Sequence, residues 1–332
     1  MKRLYAFLLA LTLCLALSVP ALATEGQMQN YGDMDTVVLT KTYELTNAGT
    51  VSPAEEFTFT IERTALSDAA EDITVANMPL PTVASVSYAA GEAGSATAAK
   101  EIVISLPAYT SVGIYTYMIR ETDQHTAGVA YWGEDIRLVV TVIEQDGKIR
   151  VAAVHTEGEG EQKSSAITNT YSAGSLSFTK HVTGLLGDKS KYFKVTVTLT
   201  GEPGKTYADS FAVSGGSDSR NPDAITLAAA TEFYLKDGET ITVANLPYGV
   251  SYTVEEADYT GDNGGYAAAV YAYGDETKTV DSAAETVSIT NSKGGTVDTG
   301  VMLDSAPYVL ALAAVCAIGT AAFLRKRRSS RH

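Results

Sequence analysis

Alternation with a period of two runs through most of the middle of this 332-residue chain. Val, Ile, Thr, Tyr and Phe alternate with polar residues in Phe57-Thr-Phe-Thr-Ile61 and, with other partners, in Lys194-Val-Thr-Val-Thr-Leu199. Successive side chains on a strand point to opposite faces, so such runs make half-buried strands. No long stretch repeats at the helical period. Asp146-Gly147 and Asp237-Gly238 sit between alternating runs, and that dipeptide favours the two-residue turn of a β-hairpin. The stretch from residue 24 to 299 suits two domains of about 100–150 residues each. The expected fold class is all-β, two β-sandwiches in tandem.

The two ends have a different character. Lys2 and Arg3 precede an apolar run from Leu4 to Val19, then Pro20 and Ala21-Leu22-Ala23. A charged start, an apolar run and an A-x-A site predict a signal peptide over residues 1–23. Near the other end, residues 306–324 read as a transmembrane helix, and Arg325 opens a basic cytoplasmic tail over 325–332. Both cysteines, Cys14 and Cys316, fall in these two segments, so the stretch between them can form no disulfide. Seven of the 24 basic residues lie in the end segments, and one of the 39 acidic residues, Asp304, also lies outside residues 24–299. The exported part is therefore near −21, which argues against nucleic acid as a partner.

One pattern occurs twice. Leu39-Thr-Lys41, Tyr117-Met-Ile-Arg-Glu121 and Ile167-Thr-Asn169 follow one another in the first half. Phe178-Thr-Lys180, Tyr252-Thr-Val-Glu-Glu256 and Ile289-Thr-Asn291 follow in the second. The Lys-to-Asn separation is 128 residues in one copy and 111 in the other. This repeat divides the chain into domains at 31–172 and 173–293, with the join between Tyr171 and Ser175. Strand parity places Lys41 with Leu39 and Tyr43, and Lys180 with Phe178 and Val182. Glu121 and Glu256 fall with their own apolar neighbours, as do Asn169 and Asn291, whereas Glu255 points away. All six polar residues share the apolar face.

Buried together, such groups must pair or react. Desolvation lowers a lysine pKa and raises a glutamate pKa. A neutral lysine is a nucleophile, and a neutral carboxylic acid can donate to the amide oxygen of Asn and stabilise an oxyanion. Attack by Nζ on Asn Cγ expels ammonia and leaves a side-chain amide. Lys41–Asn169 and Lys180–Asn291 are the expected isopeptide bonds, with Glu121 and Glu256 as the catalytic acids. Singly, an inward lysine snorkels and an asparagine makes a turn. Two ordered sets of inward parity are not explained that way.

These motifs resemble those of the Gram-positive shaft pilins, the streptococcal T-antigen-like family with pilin isopeptide-linkage domains. Phe57-Thr-Phe-Thr-Ile-Glu62 and Tyr117-Met-Ile-Arg-Glu121 resemble the family's first domain. Lys180-His-Val-Thr-Gly184, Gly187-Asp-Lys-Ser-Lys191, Leu235-Lys-Asp-Gly-Glu239 and Asn245-Leu-Pro-Tyr-Gly-Val-Ser-Tyr252 resemble its second. The resemblance implies Ig-like sandwiches of the collagen-adhesin B-domain type, each locked by a Lys–Asn bond that the Glu promotes.

It also implies a sorting signal before the apolar segment, where Thr296-Val-Asp-Thr-Gly300 stands. A sortase would cut between Thr299 and Gly300 and make Thr299 the acyl donor. Asp298 replaces the expected proline, a departure that bears on recognition because proline would hold the peptide kinked. The family joins the next subunit to an exposed lysine of the first domain, shortly before its bonding Asn. Lys163, in the polar segment Glu157-Gly-Glu-Gly-Glu-Gln-Lys-Ser-Ser165, is the candidate acceptor, with Lys148 and Lys100 as alternatives.

The expected function is a structural subunit of a sortase-assembled pilus anchored in the cell wall. Its partners would be identical subunits, pilus and housekeeping sortases, peptidoglycan, minor pilins and a host ligand. The alternative is a monomeric wall-anchored adhesin. No enzyme activity beyond the single-turnover bond formation, no cofactor and no metal is expected, because no triad, thiol nucleophile or phosphate loop is legible. His125, His155 and His181 lack metal-ligand spacing, and Gly261-Asp-Asn-Gly-Gly265 reads as a loop.

Overall fold

The computed structural model describes residues 33–95, 98–158 and 165–295. The alternating runs form strands, although Phe57–Ile61 is broken at Thr58 and divides between two strands, and the described residues contain no α-helix. The first domain comprises β1 (Thr36–Leu45), β2 (Glu55–Phe57), β3 (Phe59–Ser67), β4 (Thr82–Val83), β5 (Val86–Tyr88) and β6 (Ala99–Ser105). It continues with β7 (Gly113–Glu121), β8 (Val129–Ala130), β9 (Ile136–Gln145), β10 (Lys148–Glu157) and β11 (Ala166–Tyr171). Ser172 alone separates β11 from β12 (Ala173–Thr183), which opens the second domain. There follow β13 (Phe193–Thr200), β14 (Phe211–Gly215), β15 (Ala224–Ile225), β16 (Thr231–Leu235) and β17 (Thr240–Pro247). The last are β18 (Ser251–Glu256), β19 (Val270–Tyr273) and β20 (Ala284–Ser292).

Each domain has two main sheets closed over one core, and in the first a two-stranded sheet, β2-β5, adds Phe57 and Tyr88 to it. In the first, the sheet β4-β6-β1-β11-β8 covers the sheet β10-β9-β7-β3. Leu39, Tyr43 and Ile102 from one sheet and Tyr115, Tyr117 and Leu138 from the other belong to a single buried cluster. In the second, β15-β14-β17-β12-β20-β19 covers β16-β13-β18. Phe178 and Phe233 meet edge-on across that core, their centroids 5.3 Å apart.

The first and last strands of each domain are parallel neighbours. β1 pairs with β11, Lys41 opposite Ile167 and Tyr43 opposite Asn169. β12 pairs with β20, Lys180 opposite Ile289 and Val182 opposite Asn291. In both, Asn sits two residues beyond the position facing Lys, on the same side of the sheet.

Of the two expected hairpins, one forms. Gln145 pairs with Lys148 across Asp146-Gly147, and both turn residues have positive φ (55° and 73°), as a type I′ turn requires. Asp237-Gly238 is not a hairpin turn. β16 lies in the three-stranded sheet and β17 in the six-stranded one, so this dipeptide carries the chain from one layer to the other. Its residues turn to β12 instead: Gly238 N donates to Lys180 O and Lys180 N to Glu239 O, both at 2.9 Å. Asp237 Oδ1 accepts from Val182 N at 2.7 Å. The turn chemistry is as read, but the partner is a third strand.

Where the domains meet, polar groups are matched. Asn245 exchanges two 2.8 Å hydrogen bonds with Val51, its Nδ2 donating to the carbonyl and its Oδ1 accepting from the amide. Asn47 Nδ2 donates to Ala173 O at 2.8 Å and to Tyr248 OH at 2.6 Å. Ala127 N donates to Thr206 O, and Thr206 N to His125 O. Gly128 has φ +76°, and a Cβ there would lie 2.6 Å from Ser172 O. The opposite pole of the first domain carries the start of β1, where Leu106 N donates to Asp35 O at 2.8 Å. The far pole of the second carries the end of β20, where Lys293 N donates to Thr183 O and Leu186 N to Lys293 O.

Candidate functional site

Alternation along β1 buries Lys41 completely, and alternation along β11 buries Asn169. Glu121 ends β7 in the opposing sheet with its side chain equally buried. Lys41 Nζ donates to Asn169 Oδ1. Glu121 Oε1 lies 3.0 Å from Nζ and also accepts from Asn169 Nδ2 at 3.0 Å. One carboxylate oxygen therefore touches both the amine and the amide nitrogen; it does not face the amide oxygen, to which the acid was expected to donate, because Oδ1 is turned to Nζ. The other, Oε2, accepts from the backbone amide of Trp132 at 2.7 Å. The Phe57 ring lies 4.2 Å from Nζ, closing off water. Burial brings the Lys41 amine down to about 8 against the opposing pull of Glu121.

The second domain repeats this arrangement from different residues. Lys180 on β12 and Asn291 on β20 are buried, and the Glu256 carboxylate reaches them from β18. Lys180 Nζ donates to Asn291 Oδ1, and Glu256 Oε2 lies 3.2 Å from it. Nζ also donates to the carbonyls of His181 (3.1 Å) and Ile289 (3.2 Å). Phe193 takes the place of Phe57, with its centroid 4.5 Å from Nζ. Burial lowers the Lys180 amine and raises the Glu256 carboxyl, so the pair is pushed toward its uncharged form. Neither Glu256 oxygen accepts a hydrogen bond, whereas Glu121 accepts from both Asn169 Nδ2 and Trp132 N, and this is the main difference between the sites.

All six expected residues thus converge, three by three, and Glu255 is exposed. Sequence reasoning missed the Trp132 amide, the two rings, and the Tyr88 hydroxyl that donates to the Lys41 carbonyl at 2.9 Å. Phe57 had a signal, since it lies in an alternating run; a backbone amide has none. Lys148 is exposed beside the hairpin. Lys100 is engaged, donating to Ser87 O at 2.6 Å and to Glu92 at 2.8 Å. Lys163, Thr299, Gly300, the signal peptide, the apolar segment 306–324 and the tail lie outside the described residues. Among the described residues no cluster of His, Cys, Asp or Glu has metal-binding geometry.

Each unit is thus a β-sandwich whose neighbouring first and last strands meet in a buried Lys–Glu–Asn cluster. Residues 37–172 match the Spy0128-like isopeptide containing domain, and residues 174–293 match a domain of unknown function, DUF7601. The chain is 28% identical over 312 residues to a pilin of Streptococcus pyogenes serotype M1, covering 88% of this chain and 91% of the relative. A crystal structure of the major pilin from Streptococcus pyogenes aligns with TM-score 0.53 at 23% identity, over 79% of this chain and 99% of that one. The T3.2 major pilin of the same species aligns with TM-score 0.52 at 20% identity, with the same two coverages. Over most of its length the chain is thus similar to streptococcal pilins, and its fold is that of the major pilins.

Proposed function

We propose that the protein is the structural subunit of a covalent, sortase-assembled pilus, and that each domain seals itself with one Lys–Asn amide. The observation that carries the sealing is the double contact of Glu121 Oε1 with Lys41 Nζ and Asn169 Nδ2. The neutral amine attacks Asn169 Cγ, and the C–N bond to Nδ2 breaks. The proton lost by Nζ passes through the carboxylate to the departing nitrogen, which leaves as ammonia. Lys180, Glu256 and Asn291 do the same in the second domain, so a domain of unassigned function gains this role. The enclosing rings and the lowered lysine amines favour attack over hydration.

Polymer formation is supported by the relatives, which are pilins, and by Thr299-Gly300 ahead of the apolar segment. A sortase would take Thr299 as acyl donor and pass it to a lysine of the next copy, Lys163 in our reading. The subunits would be anchored to peptidoglycan through the housekeeping enzyme. A second reading, a monomeric adhesin, draws on similarity to the pilus tip adhesin Cpa of Streptococcus pyogenes. That match is 33% identical over 132 residues and covers 39% of this chain but 18% of the relative. Two measurements decide. Intact-mass analysis of residues 24–299 should show loss of two ammonia molecules. Cell-wall extracts should show a ladder of detergent-resistant oligomers, with a branched Thr299–lysine peptide on digestion. An unmodified mass refutes the sealing, and a single monomeric band refutes the polymer.

A further inference from the structure

At the far pole of the second domain, Leu185 and Leu186 stand on the turn after β12, 77% and 51% exposed. They flank the chain's exit: Leu186 N donates to Lys293 O, and a Cβ on Gly295 would collide with the Leu186 side chain. Two adjacent exposed leucines are an unusual use of a turn in so acidic a chain. At the opposite end of the molecule, Met34, Leu106, Pro107, Tyr109 and Ile149 line an open groove of about 340 Å³. Exposed acids edge it. Asp33 is 75% exposed, near Arg150 at 3.8 Å, and Asp35 is also exposed. Beside the leucines, Lys189 is 72% exposed and pairs with Asp237 at 3.1 Å.

We propose that the Leu185-Leu186 knob of one copy seats in the Met34–Tyr109–Ile149 groove of the next, aligning subunits pole to pole before they are joined. This rests on the polymer reading above. An apolar projection on one surface and a complementary groove elsewhere on the same molecule form a heterologous contact that does not close on itself, the geometry of a fibre. The chain length outside the described residues points to the same occupant. Thr299 is four residues past Gly295, so a link through it holds the knob within about 14 Å of the donor carbonyl, even fully extended. On the receiving side, Lys148 adjoins Ile149 of the groove. Ser165, at the start of the run into Asn169, bonds to Thr40, roughly 17 Å along β1 from Asp35. Lys189 against Asp33 and Asp35 sets the sign of the approach.

Engineered cysteines give the test, because Cys14 and Cys316 are the chain's own and both lie in its end segments. Fibres on native cells would carry Leu185→Cys with Met34→Cys, or Val270→Cys with Met34→Cys as the control on a side strand. Mild oxidation and digestion should yield a disulfide-joined peptide pair from the first combination and not from the second. Positions 34 and 185 occupy opposite ends of one copy, so such a pair comes from two. No pair, or equal yields from both combinations, overturns the docking. In parallel, Leu185→Asp with Leu186→Asp should slow appearance of the ladder about tenfold, the factor that losing roughly one buried leucine contact produces. An unchanged ladder overturns the docking and leaves the polymer standing. Absence of any ladder from the unsubstituted chain overturns both.

Discussion

At the scale of single residues, the two sites differ in how the carboxylate is held, and that has measurable results. Glu121→Ala should abolish one ammonia loss and Glu256→Ala the other, each leaving the remaining domain sealed. Losing a link that closes more than a hundred residues should cost about 4 kcal/mol and lower that domain's unfolding midpoint by roughly 10 °C. Calorimetry on each variant checks this, and an unshifted midpoint contradicts it. The unreacted amine gives a second handle. In Asn169→Ala no amide can form and Lys41 stays a buried base near 8, below the ordinary 10.5. Between those values the folded chain binds fewer protons than the unfolded one. Stability of this variant should therefore rise with pH across the window, by on the order of 2 kcal/mol. In the sealed protein Lys41 no longer titrates and contributes no such slope. Denaturant titrations at pH 7.5 and 10.5 would separate the two cases.

Among the elements, strand parity made the site legible: Leu39, Lys41 and Tyr43 could only share a face, and the same held for Ile167 and Asn169. The ordering of Lys, Glu and Asn in both halves then named the triads. What alternation cannot carry is the neighbour of each strand. Asp237-Gly238 has hairpin chemistry, yet β16 and β17 lie in different sheets, because the pairing of β17 with β12 is set by the core that Ile241 and Val243 complete. Trp132 N was invisible for a related reason, since a backbone donor leaves no mark in side-chain pattern. The junction was partly visible. Asn245 belongs to a motif quoted above, but its role follows only from its positive φ (58°) and its paired bonds to Val51. Asn245→Ala removes both and costs about 1–2 kcal/mol there. Gly128→Ala adds strain against Ser172 O. Either variant should be nicked near Ser172 by protease several-fold faster than wild type, at the rate local opening allows. Equal rates would show that the hydrogen-bonded contacts do not hold the domains together.

For the whole molecule, the fate of the chain turns on residues beyond β20. Thr299→Ala should leave full-length protein in the membrane fraction and remove the ladder, because no acyl enzyme can form. Wall-linked polymer in that variant would place the donor elsewhere. Lys163→Ala should likewise remove the ladder while both ammonia losses persist; a full ladder would move the acceptor to another lysine such as the exposed Lys148. The parallel pairing of first and last strands has one more result, which concerns time. A chain delivered from its N-terminus presents Lys41 early, and β1 must wait for β11 to emerge 128 residues after it. That long separation makes closure a late event in folding. If each domain seals as proposed, the bond can form only on a domain that has been delivered to its end, so the first domain would lock while most of the second has yet to arrive. On that reading an interrupted subunit that lacks β11 would carry two unsealed domains, and one that lacks only β20 would carry a locked first domain and an open second.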